Sequence, residues 1–197
     1  MVKLKERHQV LAWKNTPVDK AVVNELVTKA LTRMPSKQNL RRCNITLIDT
    51  SIGNRSKIIY RTTMHDITEA TSGFNPQILA PWVLSLGVRE EAWEKHLNYP
   101  YFLRESALEM GLIAGYITLL APDMGLGTSF CSCIKSTYRY RLDKILGYQP
   151  ELFMGIGIED TQATDFYCPA RKMRDLLPRD IEKTERKPPL DAYYKVI

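Results

Sequence analysis

The chain has 197 residues, of which 44% are hydrophobic and 25% are charged, so it can bury a core and is neither disordered nor of low complexity. This length predicts a single domain with an extended tail and excludes a second full domain. The 28 Lys and Arg residues outnumber 22 Asp and Glu, and the net charge of +6 favours anionic partners. Charge alone does not distinguish nucleotides, phosphorylated cofactors and nucleic acid.

Residues 16–19 predict the start of a helix, because Thr16 is a usable N-cap and Pro17 suits the first helical position. Apolar residues then recur at spacings of three and four, and Pro35-Ser36 ends the helix. Alternation of β-branched residues predicts a strand over 43–49, followed by a polar-faced helix over 55–63.

The middle of the chain predicts a loop over 71–76, a strand over 78–88 and a surface helix over 90–97. The strand is apolar on both faces, so it is buried, and Pro81 is expected at a bulge or an unpaired position. Two further strands are expected over 128–134 and 152–158, with a helix over 138–146 between them.

A helix over residues 102–121 is apolar nearly all round and therefore needs cover on every side. Its longest apolar run, residues 110–121, is shorter than the roughly 20 residues of a membrane span, so we expect a core helix and no membrane. The small residues Gly111, Ala114 and Gly115 would let another backbone approach closely, which favours a position between the sheet and a second subunit. A fully internal helix of a monomer is the alternative.

The cysteines do not show the paired spacing of a metal site, so no metal is expected; they are Cys43, Cys131, Cys133 and Cys168. Charged residues stand where a secretory signal would be apolar, which predicts a cytoplasmic protein. His65 and His96 are isolated and are interpreted as ordinary histidines.

Three basic segments could attract a phosphate: Arg7-His8, residues 37–42 and Arg171-Lys172. Each segment alone is more often a solvated surface than a phosphate site. Between the apolar helix and a strand, Gly125-Leu126-Gly127-Thr128 permits a tight turn and close backbone approach to a flat ligand. It is not a Rossmann fingerprint, which follows a strand and opens a helix.

The order of several short motifs resembles the FMN-dependent nitroreductase family from Glu6 to about Leu177. In chain order, these motifs are Arg7-His8-Gln9 with Trp13 and Pro17-Val18, Pro35-Ser36-Lys37-Gln38-Asn39, Ala80-Pro81, Gly125-Leu126-Gly127-Thr128, the strand over 153–157, and Arg171-Lys172. The Pro-Ser-x-x-Asn pattern is the most specific of them.

The resemblance implies an α+β subunit with a three-layer α-β-α fold, a central mostly antiparallel sheet and a long buried central helix. It also implies a homodimer that binds two FMN molecules at the subunit interface. Residues 1–177 would form the FMN-binding domain, and residues 178–197 an extended tail that packs on the partner subunit.

Residue by residue, the resemblance places the FMN phosphate and ribityl chain near Arg7, His8 and Gln9, joined by Arg171 and Lys172. The partner subunit would contribute Pro35, Ser36 and Asn39. The flavin ring would contact a third group, namely Asn75 at the pyrimidine edge, Gly127, and Phe130, Cys131 and Ser132 beside N5, where a backbone N–H is expected to point at N5.

This sequence departs from the family pattern at Gln9, at Leu11 and at Leu40-Arg41-Arg42. Leu11 stands where the family commonly has a basic residue that steadies the reduced flavin, and Lys37 or Arg41 is expected to substitute for it.

The function implied is transfer of hydride from NAD(P)H through flavin N5 to a nitroaromatic, quinone or related acceptor, without a catalytic side chain. Aromatic residues before the central helix would cover the pocket or pack at the dimer edge; they are Trp93, Tyr99, Tyr101 and Phe102. The alternative function is a flavin-binding protein with little turnover. A nucleic-acid-binding module lacks a reading motif and is not expected.

Overall fold

The computed structural model describes residues 9–10, 12–36, 41–51, 79–89, 101–132, 134 and 142–162. The helices are α1 (Lys20–Arg33) and α2 (Phe102–Leu120), and a 3₁₀ turn (Ala121–Met124) follows α2 directly. The strands are β1 (Cys43–Asp49), β2 (Trp82–Val88), β3 (Gly127–Cys131) and β4 (Pro150–Gly157).

The four strands form one antiparallel sheet in the order β1-β2-β4-β3. β1 and β2 pair from Cys43 opposite Val88 to Asp49 opposite Trp82. This confirms the predicted sheet, and the bounds of β1 match the prediction because alternating β-branched residues define it locally.

β2 is a central strand and is buried from Trp82 to Gly87, as expected for a segment that is apolar on both faces. The predicted strand start at residue 78 is wrong, whereas the expected unpaired position of Pro81 is confirmed, because the ladder starts at Trp82. Proline has no N–H to donate to a ladder, so β2 begins one residue later, and the Pro81 carbonyl accepts from the Thr50 N–H at 3.1 Å. The irregularity of this strand lies instead between Leu86 and Gly87.

α1 begins three residues later than a Thr16 N-cap would require. Asp19 is the N-cap, and its Oδ1 accepts from the Ala21 N–H at 2.8 Å. Asp is an equally good cap, and the apolar periodicity that defines the buried side of the helix, with Val23, Leu26 and Ala30, fits either start.

One face of the sheet packs against α1 and α2, with Leu84, Ile113 and Met154 in this core. The other face carries a smaller cluster in which Val83 and Phe153 contact Leu142, from the helical residues 142–146. The protein is therefore an α+β fold with helices on both sides of an antiparallel sheet, as predicted.

α2 has one side in the core and one side in solvent. The large exposed side chains are Leu103, Leu108, Leu112 and Leu119, and a Cβ added at Gly111 or Gly115 would meet nothing within 4 Å. The alternative of a helix fully internal to a monomer is therefore wrong. Leu108, Leu112 and Leu119 lie on the same side of α2 as Gly111 and Gly115, and we call these five residues the α2 stripe.

By length and composition alone, Phe102–Met124 would also suffice to cross a membrane, with a mean hydropathy of 1.2. Its other side packs on the sheet and presents Glu105 and Glu109 to Arg42, which favours a helix between protein surfaces.

Several predictions lie outside the described residues: the helices over 55–63 and 90–97, the loop over 71–76, the first part of the helix over 138–146, and the carboxyl-terminal tail. β3 ends at Cys131, short of residue 134, and β4 begins two residues earlier than predicted. The domain boundary at residue 177 stays a prediction.

Candidate functional site

The amino-terminal arm, which comprises residues 9, 10 and 12–14, runs along the end of the sheet. The Val10 N–H donates to the Thr128 carbonyl at 3.2 Å, and the Lys14 N–H donates to the Ile158 carbonyl at 2.9 Å. The Ala12 carbonyl accepts from the Asp160 N–H at 3.0 Å. These main-chain bonds attach the arm to β3, an edge strand, and to the residues that follow β4.

Gln9 contacts the other predicted flavin-binding segment directly. Its side-chain Oε1 accepts from the Phe130 N–H at 2.9 Å. Phe130 and Ser132 are exposed and Cys131 is half-buried, so the structure brings Gln9 together with three further predicted site residues. The departure at Gln9 thus has a structural reason, because this longer side chain satisfies a main-chain donor on an edge strand.

Gly127 is approached closely by the amino-terminal arm, and its predicted contact with the cofactor stays a prediction. A Cβ at this position would lie 2.6 Å from the Val10 Cγ2 atom, so the close approach is made by the amino-terminal arm. The tight turn falls on Gly125, whose φ of 70° is left-handed.

Pro35 and Ser36 lie on a different part of the chain, at the end of α1. The Ser36 hydroxyl donates to Glu109 Oε2 of α2 at 3.3 Å, and the Arg42 N–H donates to Glu109 Oε1 at 2.8 Å. Glu109 is 5% exposed. Sequence reasoning missed this residue, although an acidic residue on an otherwise apolar helix is a signal for a buried polar contact.

Arg42 was grouped with the basic segment 37–42 that could bind phosphate, and this interpretation is wrong for Arg42. Its side chain is buried and pairs with Glu105 at 2.9 Å, and its guanidinium lies 6.0 Å from the centre of the Phe102 ring. Because these partners are distant in sequence, nothing near Arg42 indicates that its charge is used internally. Arg41 is exposed.

A cavity of about 430 Å³ lies between the end of α1, β1 and α2. Its volume is within the range of small-molecule sites. Its lining combines apolar side chains with two guanidinium groups and one carboxylate. The lining residues are Leu31, Met34, Arg41, Cys43, Asn44, Ile45, Arg89, Glu109 and Ile113. The cavity therefore adjoins the Met34–Ser36 end of α1.

The two groups of predicted site residues are attached to different parts of α2, one near its middle and one near its carboxyl-terminal end. Ser36 is held at Glu109, whereas β3 is held at Thr118, whose hydroxyl lies 3.2 Å from the Thr128 hydroxyl. Glu109 and Thr118 are nine residues apart, which corresponds to about 13 Å along the helix. Within one chain the two groups are therefore well separated.

Phe102 cannot cover a substrate pocket, as one interpretation of the aromatic residues before α2 proposed. It is 1% exposed and fully enclosed in the core, whereas Tyr101 is 55% exposed. Trp93 and Tyr99 lie outside the described residues.

Half of the predicted site residues lie outside the described part of the chain: Arg7, His8, Lys37, Asn39, Asn75, Arg171 and Lys172. Within the described ranges, no group of three His, Cys, Asp or Glu side chains is placed to hold a metal ion.

Cys43 is chemically protected although it lines the cavity. Burial, together with the nearby Glu109 carboxylate, raises the pKa of the thiol from 9.0 to about 12. The thiol also lies 3.5 Å from the Ser106 carbonyl, to which it donates. Only the thiolate is a good nucleophile, so this cysteine is inert at neutral pH.

We expect iodoacetamide at pH 8 to leave Cys43 unmodified in the folded protein and to modify it in urea, as read by peptide mass spectrometry. The unfolded thiol loses its proton above pH 9.0 and the folded one only near pH 12. The free energy of unfolding should therefore fall between these values by up to about 1.4 kcal/mol per pH unit. Cys43→Ser should lack that component, and equal labelling of folded and unfolded protein would contradict the burial.

The comparisons with known proteins agree with this architecture. A model of the nitroreductase family matches residues 4–158. No curated protein is significantly similar to the sequence.

Solved structures share the fold at low sequence identity. An FMN- and NADPH-dependent nitroreductase from Sphigopyxis sp. strain HMH has a TM-score of 0.65 and 17% identity, over 98% of this chain and 96% of its own. A nitroreductase family protein from Streptococcus pneumoniae has a TM-score of 0.63 and 17% identity, with 98% and 97% covered. An FMN-dependent nitroreductase from Clostridium difficile has a TM-score of 0.58 and 20% identity, with 88% and 95% covered.

The family match spans most of the chain, and the structural neighbours have the same fold over nearly its whole length. The chain therefore belongs to the nitroreductase family, and its general activity is that of a flavin oxidoreductase.

Proposed function

We propose that this protein is a homodimeric FMN oxidoreductase that passes hydride from NAD(P)H through bound flavin to a nitroaromatic, quinone or related acceptor. The observation that carries the proposal is the contact of Gln9 with the Phe130 N–H, which joins the amino-terminal arm to the exposed end of β3. Family membership and solved relatives described as FMN- and NADPH-dependent support it.

The donor set at the end of β3 fits a flat ring with hydrogen-bonding edges. The Thr128 carbonyl and the Phe130 N–H both point away from β4, toward Val10 and Gln9. Main-chain groups alternate along an antiparallel edge strand, so we expect the next outward N–H to be that of Ser132, the first residue after β3. Exposed Phe130 adds an apolar surface beside that donor.

FMN, when bound, supplies the hydride chemistry, so the protein needs no acid, base or nucleophile of its own. The Ser132 N–H would donate to the ring edge and fix its orientation. Gln9 holds β3 in place from the outer side, and exposed Phe130 would exclude water from one edge of the ring. Cys131 is not required as a redox group, because the flavin ring supplies the hydride chemistry and NAD(P)H supplies the hydride.

The α2 stripe supports a second copy of this chain as partner. Its leucines surround Gly111 and Gly115, where another backbone can approach closely. If two copies of α2 pair antiparallel about a two-fold axis near these glycines, Glu109 of one helix lies beside the Thr118 end of the other. Ser36 of each copy would then approach β3 of the other, which overcomes the separation of about 13 Å along α2 within one chain.

A flavin-binding protein with little turnover is the second candidate. Arg42 pairs with Glu105 and so does not replace the basic residue that the family commonly has at the position of Leu11. Within the family-like segment this leaves exposed Arg41, or Lys37, for that task.

Purified protein is expected to carry the yellow flavin absorption band, and anaerobic NADH or NADPH is expected to bleach it within minutes. Dithionite is the control, because it reduces bound flavin without a nicotinamide site. Bleaching by dithionite alone would favour the flavin-binding protein without turnover. Protein that is colourless and cannot be reconstituted with FMN would contradict both candidates.

Leu108→Glu should convert the protein to a monomer and weaken FMN binding by more than roughly tenfold, because a carboxylate would be buried in an apolar interface. Leu108 is 61% exposed within one chain, so the change leaves the core intact. Sedimentation gives the mass, and fluorescence titration with FMN gives the affinity.

The matched control is Ile145→Glu, since Ile145 is 58% exposed but lies on residues 142–146, away from α2. This variant should keep the mass and the affinity of the wild type. A Leu108→Glu protein that remains dimeric would exclude the α2 stripe as the interface.

A further inference from the structure

We infer that Glu109 is a positioning residue for FMN binding, because its carboxylate fixes Ser36 in the orientation that reaches the flavin of the second copy. This role rests on the proposed function. Glu109 is 5% exposed, and although it lines the cavity, each of its oxygens accepts a hydrogen bond from the same chain, so we assign it a role that acts through Ser36.

Each oxygen of the Glu109 carboxylate accepts a hydrogen bond from a different donor. Oε1 accepts from the Arg42 main-chain N–H at 2.8 Å, and Oε2 accepts from the Ser36 hydroxyl at 3.3 Å. The Glu109 carboxylate thus connects Arg42, which precedes β1, with Ser36, which lies three residues beyond the end of α1. Hydrogen bonds to a charged acceptor are stronger than neutral ones, so this connection is well suited to hold a loop residue.

Arg42 is anchored independently of Ser36, which makes it a fixed point. Its guanidinium pairs with Glu105 at 2.9 Å and lies 6.0 Å from the centre of the Phe102 ring. Phe102, Glu105 and Glu109 follow one another at spacings of three and four, so all three lie on one side of α2. The side chain and the main chain of Arg42 are therefore held by successive turns of the same helix.

Ser36 has no such support from secondary structure. α1 ends at Arg33, Met34 is already extended, and Pro35 is exposed. A residue beyond the end of a helix must lose conformational freedom before it can bind a ligand, and prior ordering makes binding more favourable. The bond to Glu109 supplies that ordering, and it does so from the helix that carries the proposed dimer interface.

The test compares the FMN affinity of four proteins: wild type, Glu109→Ala, Ser36→Ala and the double variant. Glu109→Ala should weaken binding roughly tenfold in the wild-type background, as expected for a lost hydrogen bond to a charged group. In the Ser36→Ala background the same change should weaken it by less than about threefold, because the two residues act through one contact. Equal effects in both backgrounds would overturn the proposal.

Glu109→Gln is the conservative rescue. Its amide oxygen accepts from the Arg42 N–H and its NH₂ group donates to Ser36, so affinity should stay within about threefold of the wild type. Ser106→Ala is the matched control for general destabilisation, since it removes a buried hydroxyl on the same helix that donates to the Phe102 carbonyl at 2.9 Å. A loss of affinity in Ser106→Ala equal to that in Glu109→Ala would contradict a specific role.

Amide hydrogen exchange without FMN tests the contact itself. The Arg42 amide should exchange at least roughly tenfold faster in Glu109→Ala than in Glu109→Gln or Ser106→Ala. Unchanged exchange would overturn the proposal. Wild-type protein that does not bind FMN would contradict the proposed function, whereas normal binding by both wild type and Glu109→Ala would contradict only the role of Glu109.

Discussion

The structure depends on the need of α2 for apolar cover on two opposite sides. One side is covered within the chain, where Ile113 and Ile117 are fully buried in the core formed with α1 and the sheet. The other side presents the α2 stripe to solvent. Scattered exposed leucines are ordinary, but a row of them beside two glycines on one helix is typical of a contact with another protein surface.

The same helix organises the two halves of the candidate site. Near its middle it holds Ser36 and Arg42 through Glu109, and near its end it holds β3 through Thr118. A two-fold pairing along this helix would therefore form the interface and complete the cofactor site together. Affinity for FMN and dimer stability should then be thermodynamically linked, because a ligand that binds only the dimer stabilises it by mass action.

Much of the fold could be predicted because the signals are local. β-branched alternation marks β1, apolar periodicity marks α1 and α2, and Pro35 ends α1 because a proline cannot continue it. The predictions that failed depend on partners distant in the chain. Arg42 is one of several basic residues in its segment of sequence, and only the tertiary structure shows that its guanidinium pairs with Glu105.

The candidate site shows the same division. The resemblance implied that Gln9 lies near the flavin phosphate and ribityl chain and that Phe130, Cys131 and Ser132 lie beside the ring. The structure joins Gln9 to Phe130 by a hydrogen bond, and the roles of these residues toward the cofactor stay predictions. An acidic residue on an otherwise apolar helix signals that Glu109 makes a buried polar contact, but the sequence does not identify Ser36 and Arg42 as the donors. Buried polar contacts of this kind are specified by the tertiary structure.

The central claim is that each flavin site combines Arg7 and the amino-terminal arm that follows it in one chain with Ser36 of the other. Subunit complementation tests it most directly: Arg7→Glu and Ser36→Trp should each abolish FMN binding alone, whereas the heterodimer of the two variants should bind one FMN with wild-type affinity. Such a heterodimer contains one site with both changes and one site with neither. A heterodimer that binds no FMN would show that both residues serve the same site within one chain and would contradict the account.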